Sequence, residues 1–461
     1  MTEKSVSEKP KKTKKSQEKK SQEKSNKNLI DISNLKKDKE YLQDRKYREY
    51  ILNKIDEFNN NGKLTIAYFC DTFYPIIDGV IKVLDNYASL LKDKYNIVVI
   101  VPKHKNIVIK KDYLIIGVSS LYFKFVNYDL AFPEIDGFLD KAIKRLKIDL
   151  VHSHSPFNMG AYAAKVAKKK KVPLVMTMHS LYKMDFIKYT SSETITKYLL
   201  KQIMKVFNKA TETWTMHENT KKELISYGYH GKVYFVPNAT DYEKCNNIPE
   251  LASVAREKYN IPPSDKVLLF VGRLVEQKNI FFIANALAKV KEKNPNFKMF
   301  FVGNGPDERE LKSLIKKNDL SSHTIFTGKI SDRTELATIF ALSDLFVFPS
   351  LYDTSSLVQI EAATFNTPTL FIENTVTATT ITNNVNGFTA KNDVNAFADK
   401  IVSLMENEKL LKEIGENANR DLFITWKQVS EIVAERYEYL IKQNKNKQAK
   451  LTAIKNAKIF K

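Results

Sequence analysis

Cysteine is nearly absent from this chain of 461 residues: Cys70 and Cys245 are the two. They lack metal or redox spacing, which excludes a disulfide scaffold and a cysteine-based zinc site and predicts free thiols in a reducing cytoplasm. No apolar run approaches the about 18 residues of a membrane-spanning helix. The N-terminus lacks an apolar signal core, so no secretion signal is expected. Acids are in deficit, 53 Asp and Glu against 74 Lys and Arg, for a net charge of +21. What remains is 43% hydrophobic and 28% charged, the composition of a globular protein. The length exceeds one core and suits two domains with tails.

The positive charge sits at the ends. Residues 1–30 hold ten Lys and four Glu, and residues 442–461 hold seven Lys and no acid, together +13 of the +21. These Lys/Ser/Gln/Asn-rich ends cannot bury a core and are expected to be disordered tails. Such tails either solubilise the chain or attach it to anionic lipid or nucleic acid. No nucleic-acid module is recognisable and the tails lack interleaved aromatics, so no specific nucleic-acid partner is expected.

Between the ends, strand-length apolar runs alternate with helical stretches. The runs are "TIAYFC" (65–70), "NIVVIVP" (96–102), "DYLIIGV" (112–118), "DLVHSH" (149–154), "PLVMTMH" (173–179), "TWTM" (213–216) and "VYFVP" (233–237). After a proline-rich break at 260–266 come "VLLFVGR", "FKMFFVG", "HTIFTG", "DLFVFPS" and "TPTLFIE". This alternation predicts parallel βαβ units, with strands covered on both faces. The reading is α/β: two doubly wound domains, 36–240 and 241–427, with a tail at 1–35 and a helix and basic tail at 428–461.

Ligands of open parallel sheets bind at the carboxyl ends of strands. Several motifs stand there. Gly79, after Pro75, leads into a helix whose N-terminus suits a phosphate, or simply makes a βα turn. His152 and His154 share one strand face, but no third ligand is expected near them, which argues against a metal. His179 ends a strand, as a structural or a functional histidine. Arg273 and Lys278 suit a diphosphate or a solvated surface. Gly303 and Asn304 present backbone at a turn into an acidic helix start. Ser356 and Gln359 fit a capping box. Asp353 is a turn residue, whereas Glu361 lies on an apolar stripe with Leu357 and Phe365, where a carboxylate needs donors.

The motifs "DTFYPIIDGV", "DLVHSHSPFNMG", "TMHSLY", "VPNATD", "VGRLVEQKN", "FVGNGPDERELK", "FPSLYDTSSLVQIEAA" and "NGFTA" occur in one order. In that order, over residues 64–425, the chain resembles the retaining GT-B glycosyltransferases of family 4, including bacterial diacylglycerol glucosyltransferases and phosphatidylinositol mannosyltransferases. The resemblance implies two Rossmann-like domains facing a cleft, and a nucleotide-sugar donor such as UDP-glucose. Gly79, Arg273, Lys278, Gly303, Asn304, Ser355, Ser356 and Leu357 would bind the donor, and Glu361 its ribose. His179 and Asp353 would be the catalytic residues beside the transferred sugar. The family needs no bound metal or other cofactor. Four departures bear on the donor fit: Asp353 replaces the usual glutamate, Ser355–Ser356 replace Phe-Gly, "IENTVTATT" (372–380) lacks the usual glycines, and two glycines of the first-domain loop are reduced to Asp78–Gly79.

Residues 193–209 form a candidate amphipathic helix. Lys197, Lys201, Lys205 and Lys209 recur every four residues opposite a broad apolar side. The helix either packs on its own domain or lies on a membrane, with lysines on lipid phosphates. "FVNYDLAFPE" (125–134) resembles an acceptor-side loop of lipid glycosyltransferases. The expectation is a lipid acceptor, diacylglycerol or glycosyl-diacylglycerol, and a cytoplasmic enzyme peripheral on the inner face of an anionic membrane. The alternatives are a soluble enzyme for a polysaccharide or cell-wall precursor, and a donor-binding pseudoenzyme subunit.

Overall fold

The structure, a computed structural model, describes residues 29–31, 45–76, 78–104, 107–123, 128–351, 353 and 356–459. The first strand, β1 (Leu29–Asp31), is followed by α1 (Arg45–Asn60), β2 (Thr65–Phe69), α2 (Gly79–Leu91), β3 (Asn96–Pro102), β4 (Ile107–Ile109) and β5 (Leu114–Val118). Then come β6 (Ser120–Phe123), β7 (Tyr128–Ala131), α3 (Gly137–Arg145), β8 (Leu150–Ser153), α4 (Asn158–Lys170) and β9 (Leu174–Thr177). The first half closes with α5 (Tyr182–Thr190), α6 (Glu193–Phe207), β10 (Glu212–Thr215), α7 (Glu218–Ser226) and β11 (Val233–Phe235). Seven strands form one parallel sheet in the order β11-β10-β9-β8-β2-β3-β5. The strands β2, β3, β8, β9 and β10 are buried at every position, as strands covered on both faces are; β2, β3 and β9 are mainly apolar, whereas β8 and β10 also bury His152, Ser153, Glu212, Thr213 and Thr215.

The second half runs α8 (Ile248–Lys258), β12 (Lys266–Val271), α9 (Ile280–Lys293), β13 (Phe297–Val302), α10 (Glu308–Lys317), β14 (Thr324–Gly328) and α11 (Arg333–Leu342). It continues with β15 (Leu345–Val347), α12 (Leu357–Thr364), β16 (Thr369–Ile372), β17 (Phe388–Ala390), α13 (Val394–Met405), α14 (Glu408–Leu422) and α15 (Trp426–Ile459). Its sheet is also parallel, in the order β14-β13-β12-β15-β16-β17. The order reverses at β2/β8 in the first sheet and at β12/β15 in the second. Those switch points open the crevices in which such sheets bind ligands.

The chain crosses between the sheets twice, at adjacent points. Thr240 and Thr425 form a parallel bridge. Ala239 packs in the first core and Tyr242 against the second. Beyond the return crossing, α15 packs on the first domain. Its Trp426, Val429, Val433 and Tyr437 share a core with Tyr68, Tyr87 and Trp214, and Tyr437 stacks on Trp214 at 5.4 Å.

Two expectations about the ends need correction. The C-terminal basic tail is a continuation of α15 as far as Ile459, because Lys, Gln, Ala and Leu are good helix formers even without a core to bury. At the other end, Leu29–Asp31 pairs antiparallel with β4, and the remaining residues of the expected 1–35 tail lie outside the described residues.

Candidate active site between the two sheets

A cleft of about 1070 Å³ lies between the carboxyl ends of the two sheets. Its second-domain wall includes Arg273, Gly303, Asn304 and Glu361, and its first-domain wall includes Lys82, His104 and Asp129. The glycines of this wall have a packing reason. Gly303 has φ +135°, and a Cβ there would fall 1.9 Å from the Gly272 carbonyl oxygen. A Cβ on Gly305 would fall 2.0 Å from the Leu274 oxygen. Leu274 N–H donates to the Asn304 oxygen at 3.0 Å. The loops after β12 and β13 therefore lie backbone against backbone, and only glycine permits that approach.

At the β12/β15 switch point two loops are stitched together. Asn279 Nδ2 donates to the Pro349 oxygen at 3.2 Å. Lys278 Nζ donates to both oxygens of Asp353, at 2.5 and 2.7 Å, and lies 5.3 Å from the Phe348 ring centre. Lys278 and Asp353, read separately as a diphosphate ligand and a sugar ligand, are thus brought together. Asp185 of α5, in the first domain, is close enough to feel the Asp353 charge. Burial raises its pKa, Lys188 lowers it, and the Asp353 charge raises it again.

Glu361 is buried, and the donor it needs is Arg333, whose Nη2 lies 2.9 Å from its Oε1. Ser356 caps α12 by accepting the Gln359 N–H at 3.2 Å. The return arm of the expected capping box is not made: Gln359 Oε1 instead accepts a bond from the Thr380 hydroxyl. Leu357 reaches across the domain boundary to Gly79, 3.9 Å from where its Cβ would stand. The α2 N-terminus is already capped, by Asp78 Oδ1 accepting the Ile81 N–H at 2.9 Å. Ser355 lies outside the described residues.

His179 follows β9 by two residues and stands in a file of three histidines. His152 stacks on His154 at 4.2 Å, and His154 on His179 at 5.3 Å. The expectation that no third ligand lies near His152 and His154 is therefore corrected. Three of their four nitrogens face protein partners, and the fourth, His154 Nε2, is buried without one. His152 Nδ1 meets the Tyr437 hydroxyl at 2.5 Å and its Nε2 the Thr177 hydroxyl at 2.7 Å, while His154 Nδ1 lies 3.1 Å from His179 Nε2. Among the described residues no group of three or more His, Cys, Asp or Glu is arranged to hold a metal ion. Burial pushes the pKa of His152 and His154 well down, and that of His179 down to about 3.

The helix α6 resolves its two readings by side. Leu200, Ile203, Met204 and Phe207 are buried in the first-domain core. Lys197, Lys201, Lys205 and Lys209 are exposed. So are Ile187, Tyr189, Ile195 and Tyr198. Among the described residues no helix is long and apolar enough to cross a membrane.

Sequence reading passed over Arg333, Asp185 and the His104–Asp129 pair, in which His104 Nδ1 contacts Asp129 Oδ2. Arg333 had a signal: it follows β14 at a carboxyl strand end, the position that marks ligand loops in such sheets.

Two doubly wound domains with a polar cleft between their sheet ends define the GT-B class of glycosyltransferases. Residues 253–421 match the family Glycosyl transferases group 1, and residues 77–244 match Glycosyltransferase Family 4. The chain belongs to this family 4 group of glycosyltransferases. It is 24% identical over 318 residues to the alpha-monoglucosyldiacylglycerol synthase of Streptococcus pneumoniae, covering 67% of this chain and 70% of that protein. It is 24% identical over 325 residues to the enzyme of the same name from Acholeplasma laidlawii, covering 66% and 79%. Among solved structures, Anabaena Alr3699/HepE in complex with UDP shares the fold, with a TM-score of 0.65 at 16% identity over 82% of this chain and 100% of that one.

Proposed function

We propose that the protein transfers a hexose from a nucleotide sugar, UDP-glucose, to a lipid hydroxyl of the diacylglycerol class, with retention and without a metal. The observation that carries this is the cleft: one wall joins a guanidinium, Arg273, to ligand-facing glycine backbone and the anchored carboxylate of Glu361. Those are the groups a nucleoside diphosphate calls for: cation for phosphate, close backbone, and a carboxylate acceptor for sugar hydroxyls. The two synthases named above, both monoglucosyldiacylglycerol enzymes, support the lipid acceptor, and the UDP complex of the Anabaena protein supports the donor class.

In the transfer, the bond from C1 of the sugar to the diphosphate oxygen breaks, and its electron pair leaves with the diphosphate. Arg273 and Lys278 offset that charge. The acceptor hydroxyl bonds to C1 from the face being vacated, and its proton passes to the departing phosphate oxygen. His179, neutral at working pH, serves as a hydrogen-bonding group beside the sugar rather than as a cation. Closure of the domains about the Thr240–Thr425 crossing would exclude water. For docking, the lysines of α6 and the exposed Tyr189 and Tyr198 form a basic, aromatic face suited to an anionic lipid surface on the cytoplasmic side.

A second reading, a soluble enzyme with a saccharide acceptor, is favoured by one observation: the apolar side of α6 is spent on its own core. Sedimentation with anionic vesicles separates the two. Binding supports the lipid reading, and a protein left in the supernatant at low salt contradicts it.

A further inference from the structure

Arg333 is the first residue of α11, where a cation meets the positive end of the helix dipole and is disfavoured. The helix does not need it, because Asp332 Oδ1 already caps the helix by accepting the N–H groups of Thr334 and Glu335 at 2.8 and 3.3 Å. Something else holds this arginine. Its guanidinium lies 4.0 Å from the Tyr242 ring centre. Its Nη2 donates to Glu361 Oε1 at 2.9 Å, and Asp241 Oδ2 stands 3.9 Å away.

Tyr242 is itself fixed. Its hydroxyl donates to the Arg333 carbonyl at 3.0 Å, and its ring packs edge-on to Phe365 at 4.9 Å and Phe340 at 6.3 Å. One hydrogen-bonding group of the arginine is left over: Nε is buried without a partner. An arginine kept for stability alone would be expected to have its buried donors met. This one is aimed by Glu361 at the expense of its own satisfaction.

We propose that Arg333 is a positioning residue for the ribose of the nucleoside diphosphate. It sits over the Tyr242 ring and fixes the Glu361 carboxylate with a single charge-assisted bond, leaving acceptor capacity on that carboxylate for vicinal hydroxyls. The arrangement joins three distant segments, since Asp241 and Tyr242 follow the domain crossing at Thr240, Arg333 opens α11, and Glu361 lies in α12. All of this rests on Glu361 being the ribose ligand of the proposed donor site.

The test is calorimetric binding of UDP, 2′-deoxy-UDP and 3′-deoxy-UDP to the full chain, compared with Arg333→Ala and Arg333→Lys. A charged hydrogen bond to a ribose hydroxyl predicts a wild-type preference for UDP over a deoxy form of about tenfold or more. Arg333→Ala should bring that ratio close to one, and Arg333→Lys should keep an intermediate ratio. If both variants keep the wild-type ratio, losing affinity equally for all three nucleotides or not at all, the arginine is structural and the inference is overturned. Should Arg333→Ala fail to fold, the ratio of the lysine variant decides. A wild type that binds UDP without ribose preference removes Glu361 as the ribose ligand, and the inference with it. A wild type that binds none of UDP, GDP and ADP removes the nucleotide-sugar reading itself.

Discussion

Lys278 of the second domain holds Asp353 by both carboxylate oxygens, at 2.5 and 2.7 Å. Both side chains are about a quarter exposed, 25% and 23%, so solvent screens the pair and its worth to stability is at most about 1 kcal/mol. In the proposed function the pair serves the donor site. Lys278→Met should move Tm by no more than about 4 °C. It should lower kcat/KM for the sugar donor by about 100-fold or more, the usual loss when a group facing transition-state charge is removed. Melting and donor kinetics on one preparation check both halves.

Asp353→Glu adds about 1.5 Å of reach while keeping the charge that Lys278 grips. The carboxylate should then sit differently against the sugar. The ratio of kcat/KM values for UDP-glucose and UDP-galactose should change, and identical ratios in wild type and variant would contradict a sugar-facing role for Asp353.

Gly303→Ala tests the wall of the cleft. The backbone at φ +135° and the 1.9 Å approach to Gly272 leave no room for a methyl group without moving the loop after β12. The strain is about 1–3 kcal/mol or more. Nucleotide affinity should fall together with Tm. An alanine variant that binds UDP as wild type does would show that the two loops are not mutually fixed.

The parallel run of strands was legible because buried strands are continuously apolar, and each expected run became a strand. The carboxyl-end rule led to Arg273, Gly303, Asn304 and Glu361, which the structure gathers on one cleft. What stayed hidden was pairing across long separations. Nothing local in "SDRTEL" announces a partner 28 residues away at Glu361. Asp71 accepts the Met159 N–H at 2.9 Å, 88 residues on, and so caps α4. Tyr437 reaches His152 across 285 residues, so the histidine pair at the end of β8 lies in the core beneath α15. The C-terminal basic tail was misread for another reason: polarity excludes a core but not a helix. The strands β6, β7 and β17, of three or four residues, are too short for an alternating pattern to register.

The file of histidines makes stability depend on pH. His152 and His154 have folded pKa values well below the ordinary value through burial, with neighbouring histidines adding to the shift. The unfolded chain takes up protons at these groups below about pH 6.5, while the folded chain does not. Their contribution is therefore complete above that pH and is lost as pH falls towards the depressed values. The loss approaches about 1.4 kcal/mol per pH unit for each histidine. Urea titrations at pH 7.5, 6.0 and 5.0 should show the decline, and His154→Gln should make it shallower. An equally steep decline in the variant would place the proton uptake elsewhere.

The two sides of α6 should respond to different assays. Reversing Lys197, Lys201 and Lys205 to Glu should leave Tm nearly unchanged, as expected for exposed positions. Binding to anionic vesicles should drop by about 100-fold or more, at about 1 kcal/mol for each lysine at the surface. Phe207→Ala, fully buried, should instead cost about 3–5 kcal/mol of stability. Vesicle binding that survives the triple reversal would move the membrane face off this helix.

The most direct measurement is transfer itself. The full-length protein is incubated with UDP-glucose and vesicles of diacylglycerol in anionic phospholipid, and the lipids are read by mass spectrometry, with Glu361→Ala as control. The predicted result is a lipid heavier by one hexose, formed by wild type without added metal and absent with the variant. Consumption of UDP-glucose only when a saccharide acceptor is supplied, with no glucosylated lipid at any protein concentration, would contradict the account.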